Sequence, residues 1–165
     1  MSSAESYRIR LAKLPEDKPA LLGFIIGMQH FESAIEPDRR VDPDVAEEFY
    51  AATTERVAKK NGRILIAESA DGKALGWAVA CEEENEVYVQ ADERTYGYVA
   101  ELYVIEEMRG QGVGRALIEG CEDWARERGL KVMMIGVLVK NPRAHAVYRG
   151  AGFADYATML RKYLR

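Results

Sequence analysis

A chain of 165 residues fits a single domain, 1–165, large enough to bury a sizeable core. Its net charge of −4, from 23 Lys and Arg against 27 Asp and Glu, gives no basic footprint for nucleic acid and suits a neutral or cationic partner better. No apolar run approaches membrane-spanning length, residues 1–6 are polar and lack a signal-peptide core, and the two cysteines, Cys81 and Cys121, have no partner at disulfide or metal spacing, so a cytoplasmic protein with no metal site and no membrane partner is expected.

Tyr7–Leu11 alternates and reads as a first strand. Pro15 and Asp17 open a helix whose apolar face is Leu21, Phe24, Ile25 and Met28. Residues 30–40 contain Pro37 and several charges and read as a loop. Asp42-Pro43 is an N-cap with proline in the first turn, opening a helix with Val45, Phe49, Ala52, Thr53 and Val57 on one side, stopped by Asn61-Gly62. Residues 63–68 form a strand, Asp71-Gly72 a hairpin turn, and 74–80 the returning strand. The acidic run Glu82, Glu83, Glu84 and Glu86 reads as a solvated loop or strand end. Residues 87–90 read as a strand extension, and 91–95 as a loop.

Residues 98–105 make the strongest strand pattern in the chain. A glycine-rich stretch follows at 109–114. The helix 113–128 then turns Val113, Leu117, Cys121 and Trp124 inward and ends at Gly129. Residues 131–139 are nearly all apolar, as expected of a strand covered on both faces. Strand, helix and strand within about forty residues read as a right-handed crossover between parallel strands. Asn141-Pro142 opens a short helix to Ala151, closed by Gly152. Residues 153–156 and 158–164 read as a final strand pair. The fold class expected is a layered α/β domain, of mixed and mostly antiparallel sheet with a central parallel pair and helices on both faces.

The stretch Arg109-Gly110-Gln111-Gly112-Val113-Gly114 carries the chemistry. Its glycines leave backbone N–H groups uncovered where a helix begins and its dipole favours an anion, which is what a phosphate needs. A Walker-type loop would follow its glycines with Lys and Ser or Thr, but Arg115-Ala116 stands here. A dinucleotide fingerprint would space its glycines differently and end the next strand on an acid, whereas the next strand here ends in Val139-Lys140.

Arg109-x-x-Gly112-x-Gly114 resembles the acetyl-CoA signature of the GNAT N-acetyltransferases. Glu101-Leu102-Tyr103-Val104 resembles the strand before that loop, and Asn141, Ala144, Ala146, Tyr148 and Gly152-Phe153 resemble the block after the following strand. The resemblance covers about residues 98–160 and implies a splay between strands 98–105 and 131–139, with acetyl-CoA, as co-substrate, lying in the opening. It implies that the backbone of Leu102, Tyr103 and Val104 holds the pantetheine arm. The N–H groups of Gln111, Gly112, Val113, Gly114 and Arg115, with Gly110 in the same turn and charge from Arg109 and Arg115, then hold the pyrophosphate. Asn141 contacts the coenzyme while capping its own helix.

Tyr148 is the expected general acid, since a phenol is matched to the thiolate that leaves a thioester. Glu101, a carboxylate in mid-strand, is the expected base or substrate anchor, on a face shared by alternation with Val99 and Tyr103. Tyr103 and His30 are expected on the acceptor side. His145 is expected to face outward. Neither cysteine stands near the thioester, so direct attack by a primary amine in a ternary complex is expected. The acceptor expected is a small molecule such as a polyamine, amino acid or aminoglycoside. A protein or peptide acetyltransferase is the alternative; Gly136 stands where ribosomal-protein acetylating relatives tend to place Glu. A non-catalytic coenzyme A-binding module is the alternative of another class. Relatives are often dimers, and a homodimer is compatible with the sequence.

Overall fold

The computed structural model describes residues 7–164; the polar residues 1–6, read above as lacking a signal-peptide core, lie outside the described residues. Five strands form one sheet in sequence order: β1 (Tyr7–Leu11), β2 (Arg63–Ser69), β3 (Ala74–Glu84), β4 (Thr95–Val104) and β5 (Met133–Ile135). All neighbours are antiparallel except β4 and β5, which are parallel. Four α-helices accompany them: α1 (Lys18–Ser33), α2 (Val45–Lys59), α3 (Val113–Glu127) and α4 (Pro142–Gly150).

Alternation on the strands divides the core between the two sheet faces. On one face Leu65, Ala67, Ala78, Ala80 and Val99 pack against Val113, Leu117, Cys121 and Trp124 of α3, all of them buried. This is the inward stripe that the helical spacing predicts. On the other face Ile64, Ile66, Trp77 and Val79 meet Leu21, Phe24, Ile25 and Met28 of α1 and Ala46 of α2. The layered mixed α/β fold, with helices on both faces, is therefore observed.

Four local expectations need correction. First, α1 runs on through His30 to Ser33; nothing between them breaks a helix, and Pro37 is the first residue that does. Second, residues 87–90 are turn rather than strand, with Val87 and Tyr88 largely exposed and no neighbouring strand to pair with. Third, the apolar run 131–139 is a strand only over Met133–Ile135, at the sheet edge, and Val137 and Val139 face solvent. Fourth, residues 153–164 contain no strand at all, and from 154 onward every residue is exposed. The last two failures share one cause. A strand pattern states that a segment can be covered and paired, and along this edge the described residues supply no partner.

Candidate active site

The site is set by an irregularity in β4. In the register with β3, Val79 faces Glu101 but Ala80 faces Val99, so Ala100 is an extra residue in β4. The bulge breaks simple alternation. Val99, Leu102 and Val104 pack toward α3, whereas Ala100 and Tyr103 pack toward α1 and α2. Glu101 therefore shares its face with Tyr103 and not with Val99, contrary to strict alternation.

Beyond the bulge β4 also loses its parallel neighbour. β5 pairs only with Gly97–Val99, by register Gly97↔Met133, Tyr98↔Met134 and Val99↔Ile135. Residues Leu102, Tyr103 and Val104 continue along β3 with no β5 strand on their other side. Backbone groups on that side need partners from elsewhere. One is taken: Arg109 Nε donates to the Val104 carbonyl at 3.0 Å. The Arg109 guanidinium also lies over the rings of Phe31 (5.0 Å) and Tyr103 (5.5 Å), clamping the end of α1 to β4. Phe31 falls within the loop expected at 30–40, whereas Gly27 lies inside the expected helix and adds no apolar signal to its face. Their four-residue spacing on α1 is the signal that identifies one helical face.

Gly27 lets Tyr103 approach. A Cβ built there would lie 2.3 Å from the Tyr103 hydroxyl and 2.8 Å from its ring carbon. Alanine normally gains on glycine within a helix. Here Gly27→Ala is expected to destabilise the protein by about 1–3 kcal/mol, because it forces Tyr103 or α1 to move. Thermal melting checks this, and an unchanged or raised Tm contradicts the close packing.

After β4 a single 3₁₀ turn, Glu106–Met108, leads into the glycine loop. Gly110 (φ 80°) and Gly112 (φ 85°) occupy the left-handed region that other residues rarely enter. Gly112 is the N-cap residue of α3, so no side chain caps this helix, and its first turn holds no acidic residue. By contrast α2 carries Glu47 and Glu48 in its first turn. The positive end of the α3 dipole is thus left without a counter-charge from its own first turn. Gln111 is exposed and donates to the Glu107 carbonyl (2.8 Å), and Val113 is buried and roots the helix. A Cβ at Gly114 would touch Val104 only at ordinary van der Waals distance, 3.8 Å. Arg115 reaches Glu119 (3.1 Å) and the Gly150 carbonyl (3.5 Å), tying α3 to the end of α4.

Asn141 caps α4, its Oδ1 accepting from the Ala144 N–H at 3.1 Å. Tyr148, one face of α4 further on, meets Phe153 edge to face with centroids 6.4 Å apart. Burial is the main cause that raises its phenol to about 12, and the charges of Glu32 and Glu101 add to it. Glu101 is pushed up to about 8, first by burial and then by Glu32, with Arg56 and Arg39 opposing. Among the described residues no hydrogen bond to its carboxylate contributes. Glu32 itself is held by Arg39 Nε at 2.7 Å. Glu101, Glu32 and Tyr148 therefore share one electrostatic neighbourhood between α1, β4 and α4. Glu32 escaped the sequence reading for the same reason as Phe31. His30 is exposed on the last turn of α1, and His145 bonds Asp155 at 2.6 Å beyond α4.

Chemically, the face of β4 around Glu101 offers an uncompensated carboxylate and a protonated phenol. Beside it stand a free strand edge and an open helix N-terminus. That combination suits a long, amide-bearing phosphate compound on the strand and a cation above the carboxylate.

The sequence profile of the Acetyltransferase (GNAT) family matches residues 26–153. The chain belongs to this family. Aminoglycoside N(6')-acetyltransferase type 1 of Stenotrophomonas maltophilia is 31% identical over 103 residues, which is 62% of this chain and 66% of that protein. N-alpha-acetyltransferase 30 of Schizosaccharomyces pombe is 31% identical over 87 residues, 53% of this chain and 55% of that protein. The alignments thus span less than two thirds of the length of either curated relative. A crystal structure of a predicted acetyltransferase with acetyl-CoA from Clostridium acetobutylicum superposes with a TM-score of 0.74 at 20% identity, covering 96% of each chain, which supports the fold. No described helix of this GNAT chain is long and apolar enough to cross a membrane.

Proposed function

We propose that this GNAT chain is an acetyl-CoA-dependent N-acetyltransferase that acetylates a primary amine of a small cationic molecule, such as a polyamine, an amino acid or an aminoglycoside-like compound, by direct attack in a ternary complex. The observation that carries the reading is Glu101: a largely buried carboxylate with no hydrogen-bonded counter-ion among the described residues, on the strand that leaves its neighbour, within electrostatic reach of Tyr148.

The residues present fit the coenzyme. The uncapped N-terminus of α3, with Gly110, Gln111, Gly112, Val113, Gly114 and Arg115, would receive the pyrophosphate, and the free edge of Leu102, Tyr103 and Val104 would pair with the pantetheine amides. Acetyl-CoA supplies an activated acetyl thioester. Arg109 holds the Val104 carbonyl and the Tyr103 ring, so its contribution is to fix the shape of the strand end. Asn141 fixes the start of α4 and so the direction in which Tyr148 projects.

Glu101 accepts the proton that an ammonium must lose before it can attack, directly or through water, and its raised pKa suits that task near neutral pH. Tyr148, protonated across the working range, gives a proton to the departing sulfur. Glu32, itself ion-paired to Arg39, adds negative potential beside Glu101, which favours a cationic acceptor. The similarity to an aminoglycoside acetyltransferase supports a small acceptor. Similarity to an N-alpha-acetyltransferase supports peptide N-termini as the second reading. Comparing kcat/KM for polyamines and aminoglycosides with that for short peptides separates them: the first reading expects the small polycations to lead by at least an order of magnitude, and a peptide preference overturns it.

The Glu101 assignment has a signature in pH. A base must be deprotonated, so kcat/KM is expected to rise through pH about 8 and then level, with no falling limb from Tyr148 below about 12. The folded form keeps the Glu101 proton to higher pH than the unfolded chain, whose carboxyl titrates near 4.5. Stability therefore falls as pH rises between those two values. Glu101→Gln is expected to remove the pH-dependent rise, lower activity, and raise stability at pH 8 by about 1–3 kcal/mol relative to the parent. Denaturation at pH 5 and pH 8 checks the sign; equal effects at both pH values contradict it.

A further inference from the structure

Building on the reading of Glu101 as the base, we propose that Glu83 is a positioning residue: it holds Arg56 away from Glu101 and so keeps that carboxylate free for the acceptor amine. Glu83 belongs to the acidic run that reads as solvated in the sequence. Glu84 and Glu86 are exposed, as that reading expects, but the Glu83 side chain is only 21% exposed and lies at the end of β3 against α2. Arg56 Nη2 and Nε donate to Glu83 Oε1 at 2.8 and 3.2 Å. Lys60, at the end of α2, brings a second cation to the same carboxylate at 3.3 Å.

The ladder between β3 and β4 sets the distances. Its pairs Glu83↔Tyr96, Cys81↔Tyr98 and Val79↔Glu101 are successive rows on one face of the sheet. That face is the one covered by α1 and α2, where Cys81 and Val79 are buried. Arg56, in the last turn of α2, lies over the middle row, its guanidinium 5.3 Å from the centre of the Tyr98 ring. Residues two apart on a strand are separated by roughly 7 Å. The guanidinium therefore stands one row from Glu83 and one row from Glu101, within the sweep of its own side chain. Two carboxylates compete for one cation, and Glu83 has it. The ring beneath Arg56 is held as well: Tyr96 meets Tyr98 edge to face at 6.5 Å, and the Tyr98 hydroxyl sits against Gly136, where a Cβ would come within 3.1 Å.

The second cation that acts on Glu101 is engaged in the same way. Arg39 bonds Glu32 through Nε at 2.7 Å and Asp38 through Nη1 at 2.8 Å. Both cations are thus taken by other carboxylates, and Glu101 has neither in hydrogen-bond contact. The other titratable groups around it are Glu32 of α1, Cys81 of β3 and Tyr148 of α4, with Tyr98 and Tyr103 on β4 itself. Burial pushes the Cys81 thiol up to about 11 and the Tyr148 phenol to about 12, so both are neutral near pH 8. The place of Arg56 therefore decides whether Glu101 meets an ammonium as a free carboxylate or as half of an ion pair.

Carboxyl ¹³C NMR titration of the full chain, with the Glu101 signal identified by its loss in Glu101→Gln, tests this without turnover. In Glu83→Ala the Glu101 midpoint is expected to fall from about 8 by at least about one pH unit, the effect of an opposite charge within about 4–6 Å. Amine-dependent kcat/KM at pH 8 is expected to fall at least about tenfold with it. Adding Arg56→Gln is expected to restore both. Arg56→Gln alone keeps the question open to measurement if Glu83→Ala folds poorly: its midpoint is expected to rise by less than about one pH unit, and a larger rise would show that Arg56 already pairs with Glu101 and overturn the proposal. An unmoved midpoint in Glu83→Ala also overturns it. So does a loss of activity that Arg56→Gln leaves unrepaired, which a merely structural Glu83, or Lys60 in place of Arg56, would give. A midpoint that falls while kcat/KM stays supports the hold of Glu83 on Arg56 and overturns Glu101 as the base, so the two failures are separately visible.

Discussion

Gly112→Asp is expected to abolish acetyl-CoA binding, raising Kd by more than about 100-fold, while leaving the fold nearly intact. The two halves of that expectation come from the same place. An aspartate at a helix N-terminus is favourable to the helix dipole, and Asp is among the residues that tolerate a left-handed backbone best. A Cβ at Gly112 would meet only the Tyr7 hydroxyl, at 3.3 Å, which needs a shift of a few tenths of an ångström. The cost to stability is therefore about 1 kcal/mol. For a pyrophosphate the same carboxylate occupies the space and reverses the charge at the end of α3, where neither a cap nor an acidic side chain stands in the native chain. Calorimetric titration measures the affinity. An unchanged Kd would mean that the glycine loop holds something else.

Tyr148→Phe is expected to lower kcat by about 10- to 1,000-fold with coenzyme Kd unchanged, the usual range for loss of a general acid. The fold should survive. No hydrogen bond of the Tyr148 hydroxyl contributes to its raised pKa, and the edge-to-face contact with Phe153 needs only the ring. The raised phenol changes one detail of the expected chemistry. At a pKa of about 12 the hydroxyl is a weaker acid than an unperturbed tyrosine, and it is protonated at any pH where the enzyme would work. Its role is to deliver a proton in the transition state rather than to titrate. A variant with full turnover contradicts the assignment, and one that loses kcat and coenzyme affinity together places Tyr148 in binding instead.

Periodicity read well where a segment's partner lies in its own chain. The inward stripe of α3 and the β2–β3 hairpin at Asp71-Gly72 are local matters, decided by spacing and turn chemistry. The orientation of Glu101 was legible only in part. Its mid-strand position shows in the sequence, but the bulge at Ala100 that turns it toward α1 does not, because an extra residue in a strand leaves no mark in composition. Phe31 and Glu32 were lost to a loop expectation drawn from charge density, though the first true helix breaker is Pro37. The apolar run 131–139 and the tail 153–164 show the opposite limit. Their apolar pattern states that a segment could be covered and paired and is silent on whether a partner is at hand, so most of 131–139 and all of 153–164 are not strand.

The proposed reaction is transfer of an acetyl group to a primary amine beside Glu101 and Tyr148. Thiol release from acetyl-CoA, followed over a panel of polyamines, amino acids, aminoglycosides and peptides, tests it most directly. Thiol release is expected to depend on a cationic small-molecule amine and to drop by at least about tenfold in Tyr148→Phe. Tight acetyl-CoA binding with no amine-dependent thiol release on any acceptor would contradict it and leave a coenzyme-binding module.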